Sequence, residues 1–324
     1  MKFIDFTEGG PDTLRIANTS APQAGAGQVL IEVAAFGINR ADTLQRQGKY
    51  PPPPGESEIL GLEVAGTVID AGKDVSRWQT GDKVFGLVAG GGYAQQAVVN
   101  AQHLMAVPEG MPLEQAAGLA EVFLTAYQCV HYIAGLEQGQ RALIHAGASG
   151  VGLAALQLCR YMGITTATTA SSTEKLSLCK EMGADIAINY KQDDFATMLK
   201  DAWPEGVDMV LDMVGGDYLN RNLQVLRRDG HIVQLAMLAG RYADNLDLAL
   251  LLGKRARIQG TTLRSRTDSY KRDLIDAFSA RCLDGFVTGK LVVNMDTVYD
   301  VTEIQTAHQR LEENSTKGKV VVRW

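Results

Sequence analysis

The chain has 324 residues and a net charge of −6, long enough for two hydrophobic cores and too acidic for binding that depends on neutralising phosphates with clustered Lys and Arg. Hydrophobic residues make up 46% and charged residues 21%; no apolar run nears the ~20 residues of a membrane span, and no basic start leads into an apolar signal segment. A cytoplasmic protein acting on small molecules is the expectation.

The first predicted elements, residues 28 to about 107, are short β runs broken by glycine: QVLIEVAAFGI, LGLEVAGTVIDAG, GDKVFGLV and GGYAQQAVV. Period-two alternation with turn residues between the runs predicts a compact antiparallel β unit. The run Pro51 to Pro54 predicts a stiff extended loop, because successive prolines fit neither a helix nor a central strand. From residue 112, PLEQAAGLAEVFLTAYQCVHYIAG reads as one or two helices. Six strands alternating with helical patterns follow: RALIHA, TTATTA, IAINY, VDMVLD, HIVQLA and RARIQGTTL. That order describes a doubly wound parallel sheet of the Rossmann type. The remainder, a helix and then strand-helix-strand ending in KGKVVVRW, is too short to fold alone and is expected to complete the first β unit. The fold class is therefore α/β: a β-rich domain, residues 1–119 and 265–324, with a Rossmann domain, residues 120–264, inserted in it.

Cys129, Cys159, Cys179 and Cys282 lie too far apart for a zinc knuckle or a redox dithiol. The five histidines form no His-x-x-x-His or Glu-x-x-His pair, so buried thiols and no metal site are expected.

Gly147-Ala148-Ser149-Gly150-Val151-Gly152 stands directly after the strand ALIHA and opens a helix with apolar residues at Val151, Ala154, Ala155 and Leu158. Glycines there permit a tight turn and close approach of backbone N–H groups to a pyrophosphate. Ser149 replaces the middle glycine of the usual pattern; the strand before the turn and the strand-helix repeats after it make the assignment specific. The alternative is a turn needed only for packing. Folds that prefer NAD carry an acid about 20 residues further on. Here that region reads Thr169-Ala170-Ser171-Ser172-Thr173, followed by Lys175, and hydroxyls with a lysine suit the 2′-phosphate of NADPH. A solvated first-turn lysine next to Glu174 is the other reading of Lys175.

NRAD…QRQGKYPPPPG, ILGLEVAG, GDKV, GGYAQ, LTAYQ, HAGASGVG, LDMVGG, LRSR and VTEIQTAH…NSTKGKVVV together resemble the zinc-independent quinone oxidoreductases of the medium-chain dehydrogenase/reductase superfamily. The likeness covers essentially the whole chain. It is greatest to the tumour-suppressor-inducible subgroup, with zeta-crystallin-like reductases further off. The resemblance implies a GroES-like catalytic domain, NADPH in the cleft beside the Rossmann domain, and a homodimer joined through the Rossmann domains. Zinc members of the superfamily use a cysteine where this chain has Asn39 and Gly-His-Glu where it has Gly61-Leu62-Glu63. No cysteine precedes residue 129, so the four-cysteine structural zinc lobe is absent as well. Glu63 is then expected to be a structural partner for a buried donor such as Arg40.

On the same resemblance Asn39 faces the nicotinamide end of the site, the alternative being a helix N-cap. Tyr50 stacks on or donates to the quinone, or is a rim aromatic. Thr125 lies near the nicotinamide ribose, or simply packs in its helix. Ser149 serves the phosphate turn or the substrate. Ser172, Lys175 and Tyr190 surround the adenosine 2′-phosphate, Tyr190 otherwise being a strand-end aromatic. Gly215 and Gly216 close the fourth Rossmann strand, and the segments containing Leu235 and Met237 and Leu263 to Ser265 pass near the nicotinamide. His145 is expected to be a packed strand-end residue. Lys254, Arg255, Arg257, Arg264, Arg266, Lys271 and Arg272 are expected to be mostly solvated or at a subunit edge, with an arginine or two near the cofactor. The activity implied is NADPH-dependent quinone reduction. Reduction of the activated double bond of enals or enones is one alternative, and an NADPH- and RNA-binding protein is another.

Overall fold

Alternation of apolar residues from position 28 onward builds one long strand on which a mixed sheet is assembled. In the computed structural model, which describes residues 1–324, the chain divides into one unit of residues 1–124 with 263–324 and another of residues 125–262. The first division falls inside a continuous helix, α3 (Ala120–Tyr127), and the second falls in the loop at 262/263; the sequence reading set them at 119/120 and 264/265. No linker composition marks the first junction because a helix runs through it.

In the first unit, β1 (Lys2–Asp5) and β2 (Arg15–Asn18) pair with each other. The main sheet centres on β3 (Gln28–Ile38), which buries alternate residues at its start and both faces from Ala35 to Ile38. Helix α1 (Arg40–Arg46) follows, then β4 (Glu63–Ala71), β5 (Lys83–Leu87), β6 (Gln96–Asn100), β7 (Leu104–Ala106) and α2 (Leu113–Ala116). After the second unit the chain returns through α9 (Asp268–Val287), β14 (Met295–Asp300), α10 (Ile304–Glu312) and β15 (Lys319–Arg323). The strand order is β14-β15-β3-β4-β5-β7, with β6 also on β3. All ladders are antiparallel except β14 on β15. The ladders among residues 28–107 are antiparallel, as expected; the β14–β15 pair beyond them is parallel because α10, a helical crossover, returns the chain in the same direction. The C-terminal strand does complete this unit, with Val320 to Arg323 opposite Ile38 to Ala35.

The core of this unit includes Val29, Ile31, Val33, Phe36, Val64 and Val322, with Phe36 and Tyr93 at 4.2 Å between ring centres. One buried polar cluster is set in it. Arg46, fully buried, donates from Nε to Gly9 O (3.1 Å), lies 3.2 Å from His308 Nδ1 and pairs with Glu312. His308 Nε2 is 3.0 Å from the Tyr93 hydroxyl. With Arg46 donating, His308 accepts at Nδ1 and carries its proton on Nε2. Burial, then the Arg46 charge, lowers the His308 pKa to about 3.

The second unit carries β8 (Arg141–Ile144), α4 (Gly150–Tyr161), β9 (Thr165–Ala170), α5 (Thr173–Glu181), β10 (Ile186–Asn189), α6 (Phe195–Ala202), β11 (Val207–Asp212), α7 (Tyr218–Val225), β12 (Leu226–Gln234), α8 (Leu248–Lys254) and β13 (Arg257–Gly260). The sheet is parallel throughout, in the order β10-β9-β8-β11-β12-β13, as the alternating pattern predicts. Strand order reverses between β8 and β11, the place at which doubly wound sheets open a ligand crevice beyond their carboxyl ends. Its core includes Leu143, Ala167, Ile188, Phe195, Val210 and Ile232. Strand β13, at the sheet edge, is exposed at all four residues.

Two outcomes follow from the Arg46 cluster. Arg46→Ala leaves His308 and Glu312 without their cation and should lower the unfolding free energy by about 3–5 kcal/mol in urea. His308 binds a proton in the unfolded chain below pH 6.5 and in the folded chain only near pH 3, so its contribution to stability is complete above pH 6.5 and declines as pH falls. The stability gap between wild type and His308→Gln should therefore narrow from pH 7 to pH 4.5; a gap that widens would show that His308 is charged in the fold.

Candidate functional site

Parallel strands put all their carboxyl ends at one edge of the sheet, and in the second unit that edge collects most of the expected cofactor residues. The glycine turn follows β8, Ser171 and Ser172 follow β9, Tyr190 follows β10, Gly215 and Gly216 follow β11, and Leu235 follows β12. Ser149 is the N-cap of α4 and accepts the Gly152 N–H at 3.1 Å. Gly150 and Val151 stand in the first turn, where a helix has no acceptor of its own for backbone N–H groups. Packing also requires these glycines. A Cβ on Gly147 would overlap the Thr168 hydroxyl, and one on Gly152 would come within 2.5 Å of Ala146 O. Buried Ala148 lies between Gly147 and the Ser149 cap.

Ser172 caps α5, accepting the Lys175 backbone N–H at 3.3 Å; the Lys175 side chain is half-buried and Tyr190 is exposed. No acidic residue stands between Ala170 and Thr173. Thr125 is buried in α3, Leu263 is buried, and Met237 and Ser265 are exposed.

The turn after β11 is held from beneath. Asp212 accepts the N–H groups of Val214 (2.6 Å) and Gly215 (2.9 Å), and Gly215 and Gly216 take φ of 71° and 56°. Asn222 Nδ2 donates to Asp212 at 2.9 Å, which turns its Oδ1 to His145 Nε2 at 2.8 Å; His145 Nδ1 lies 2.9 Å from the Thr169 hydroxyl. His145 is thus a neutral imidazole donating from Nε2, with its pKa lowered by burial. It is fully buried, and its role is to brace the turn through Asn222 and Asp212.

In the first unit Asn39 and Asp42 of GINRAD join a polar cluster around buried Glu63 and Lys319. Asn39 is the N-cap of α1 by backbone angle, and Asp42 accepts its N–H at 2.7 Å. The Asn39 carboxamide is engaged elsewhere: Nδ2 donates to Glu63 Oε1 at 3.0 Å and Oδ1 accepts from Lys319 Nζ at 2.5 Å. Lys319 Nζ also lies 2.5 Å from Glu63 Oε1 and donates to Ile38 O at 3.0 Å. Glu63 Oε2 accepts the Glu121 N–H at 2.9 Å. The partner of Glu63 is therefore Lys319 together with Asn39, not Arg40, whose guanidinium bonds Leu311 O (2.8 Å) and Asn314 Oδ1 (2.6 Å). Burial raises the Asp42 pKa to about 6. Burial, then the neighbouring Glu63 carboxylate, raises that of half-buried Glu121 to about 8.

Half-buried Tyr50 has the Arg264 guanidinium 5.6 Å from its ring centre. Arg264 is 6% exposed and donates from Nε to Ala89 O at 2.7 Å, while its two terminal nitrogens have no hydrogen-bond partner in the chain. Five of the seven residues of the basic run are at least partly exposed. Arg264 and Lys271 are buried, and Lys254 is tied to the carbonyls of Gln224 and Leu226. Such a run does not present the continuous basic surface that RNA binding requires.

Asp42, Glu121, Lys319 and the Asp212–Asn222 pair were missed by the sequence reading. For Lys319 the signal was present: a lysine opening the otherwise apolar strand KVVV can only be buried if a carboxylate waits for it. No helix is long and apolar enough to cross a membrane, and no group of three or more His, Cys, Asp or Glu side chains is placed to hold a metal ion.

The family model of the alcohol dehydrogenase GroES-like domain matches residues 25–109, and that of zinc-binding dehydrogenases matches residues 150–280. The chain is 29% identical to the human synaptic vesicle membrane protein VAT-1 homolog, over 97% of this chain and 84% of that protein. The structure of Escherichia coli quinone oxidoreductase complexed with NADPH matches with a TM-score of 0.90 at 28% identity, covering 100% of both chains. That of the CurK enoyl reductase matches with a TM-score of 0.87 at 29% identity, over 99% of this chain and 98% of that one. Two domain models in series, whole-length relatives and quinone oxidoreductases among the structural neighbours lead to one conclusion: the chain belongs to the medium-chain dehydrogenase/reductase superfamily.

Proposed function

We propose that this protein is an NADPH-dependent quinone oxidoreductase that works without zinc. The observation that carries the reading is the end of β9, where Ser172 and Lys175 stand at the start of α5 and the segment Ala170 to Thr173 holds no carboxylate to bind a ribose 2′-hydroxyl, the nearest acid being Glu174 within the first turn of α5. The E. coli quinone oxidoreductase that matches over the full chain is itself complexed with NADPH. Ser172 and Lys175 would hold the 2′-phosphate, and the first-turn N–H groups of α4 would receive the pyrophosphate. The His145–Asn222–Asp212 brace keeps the Gly215–Gly216 turn in place at the same edge.

The match to a zinc-binding dehydrogenase model raises the question of a metal at Asn39 and Glu63. The residues do not fit one. Neither a thiolate nor an imidazole is present there, and the ammonium of Lys319 already lies within 2.5 Å of both Asn39 Oδ1 and Glu63 Oε1, where it would repel a cation.

When bound, NADPH supplies the hydride. A quinone that accepts it becomes an aromatic hydroquinone anion whose charge is already delocalised, so a Lewis acid is less necessary than for an alkoxide. The chain's own tasks are then positioning and exclusion of water. The Asn39 carboxamide offers an N–H to the acceptor oxygen, and Tyr50, held beneath the Arg264 guanidinium, offers a flat face for stacking. Similarity to the CurK enoyl reductase favours a second reading, reduction of the activated double bond of enals or enones by the same hydride geometry.

Steady-state oxidation of NADPH and NADH should be followed with ortho-quinones, para-quinones and enones after EDTA treatment. Quinone-dependent oxidation of NADPH that survives the chelator is the expected result; activity confined to enones would replace the quinone reading with the second one, and loss of activity restored by zinc would overturn the metal-free account. Lys175→Ala should weaken NADPH binding by about tenfold or more, as expected for loss of a charge-assisted contact, and leave NADH binding nearly unchanged. Equal losses for both cofactors, measured by fluorescence titration, would remove Lys175 from the 2′-phosphate site.

A further inference from the structure

The Asn39 carboxamide is gripped at both ends by charges of opposite sign. Its oxygen accepts from the Lys319 ammonium at 2.5 Å and its nitrogen donates to the Glu63 carboxylate at 3.0 Å. Rotating the amide by half a turn would set an NH2 against the ammonium and a carbonyl oxygen against the carboxylate, reversing both contacts. Nδ2 has two hydrogens and Glu63 takes one of them. The other can be offered only as a donor.

The chain is built around the lysine. Lys319 opens β15 and is 3% exposed, with Nζ also donating to Ile38 O at 3.0 Å. Two glycines leave the volume its side chain occupies. A Cβ on Gly37 would lie 2.7 Å from Lys319 Cε and would overlap Glu63, and a Cβ on Gly118 would lie 2.8 Å from Lys319 Cγ. The other end of the carboxylate is fixed as well, since Glu63 Oε2 accepts the Glu121 N–H at 2.9 Å.

We propose that Lys319, acting with Glu63, is the positioning residue that locks the Asn39 carboxamide with its nitrogen as the donor to the hydride acceptor's oxygen. The proposal rests on the reading that Asn39 meets the acceptor. Lys319 touches neither substrate nor cofactor; it acts through Asn39. A merely structural lysine would affect turnover whatever stood at position 39, whereas a positioning lysine matters only while Asn39 is there.

The test is a double-mutant cycle on the single-turnover rate of NADPH oxidation by the best quinone, with thermal unfolding followed in parallel. Asn39→Leu removes the donor and should slow hydride transfer by about 100-fold, the scale of losing one oriented hydrogen-bond donor. Lys319→Met should slow the wild-type background at least about tenfold and the Asn39→Leu background less than about twofold. Equal slowing in both backgrounds, or none in either, overturns the proposal. If Lys319→Met does not fold, Glu63→Gln, which keeps the volume and removes the opposing charge, should show the same dependence on background. A second arm needs no turnover. The Asn39 side-chain amide signal in 15N NMR, identified by its loss in Asn39→Leu, should exchange slowly with water in wild type and at least about tenfold faster in Lys319→Met, as for a side chain released from charged partners; unchanged exchange overturns the lock. A wild-type enzyme that turns over no acceptor would count against the proposed function, and the exchange measurement would still decide whether Lys319 holds Asn39.

Discussion

A lysine ammonium and a glutamate carboxylate buried side by side are the constraint around which the first unit is arranged. Removing two charges from water costs several kcal/mol per ion, and their attraction repays this only where geometry is good and the remaining donors and acceptors are satisfied. Lys319 and Glu63 meet that condition through Asn39, Ile38 O and the Glu121 N–H. The pair, on β4 and β15, and its partners, on β3, the N-cap of α1 and the start of α3, tie together segments far apart in sequence. Burial, then the neighbouring Glu63 carboxylate, raises the pKa of Glu121 to about 8, against the opposing pull of the Lys319 ammonium.

The fold was largely legible because its periodicities are strong. The six parallel strands, the helix opening at the glycine turn and the return of the C-terminal strand to the first sheet all follow from alternation and turn residues. The parallel β14–β15 pair was not, since direction within a ladder is set by the α10 crossover and leaves no mark on the strands themselves. At the site, residues next to a recognisable turn come together at the carboxyl edge, where Ser149 and Ser172 both cap helices. What sequence could not supply were partners at long range. Glu63 was assigned to Arg40, nearer in sequence, whereas its cation comes from residue 319. Asp212 and Asn222 look unremarkable in sequence; only the β11–α7 turn brings them into line with His145.

Both units share one device: polar groups at the surface of the site are oriented by buried side chains behind them. His145 fixes Asn222, Asn222 fixes Asp212, and Asp212 fixes two backbone N–H groups. Rigid support of this kind matters because small errors in the alignment of reacting groups act directly on a rate.

The insertion of residues 125–262 into the first unit has a consequence for the order in which the polypeptide can be built. Strand β3 obtains one of its neighbours only from β15, which follows the inserted unit in sequence. During synthesis the parallel sheet is therefore complete in sequence while the earlier β segment still lacks its closing strand and, with it, the cation for Glu63. Until Lys319 leaves the ribosome that carboxylate has no counter-charge, and the half-assembled sheet has an open edge of the kind that invites pairing with other chains. The nascent protein depends on β15, made after the inserted unit, to neutralise and seal a core begun at β3.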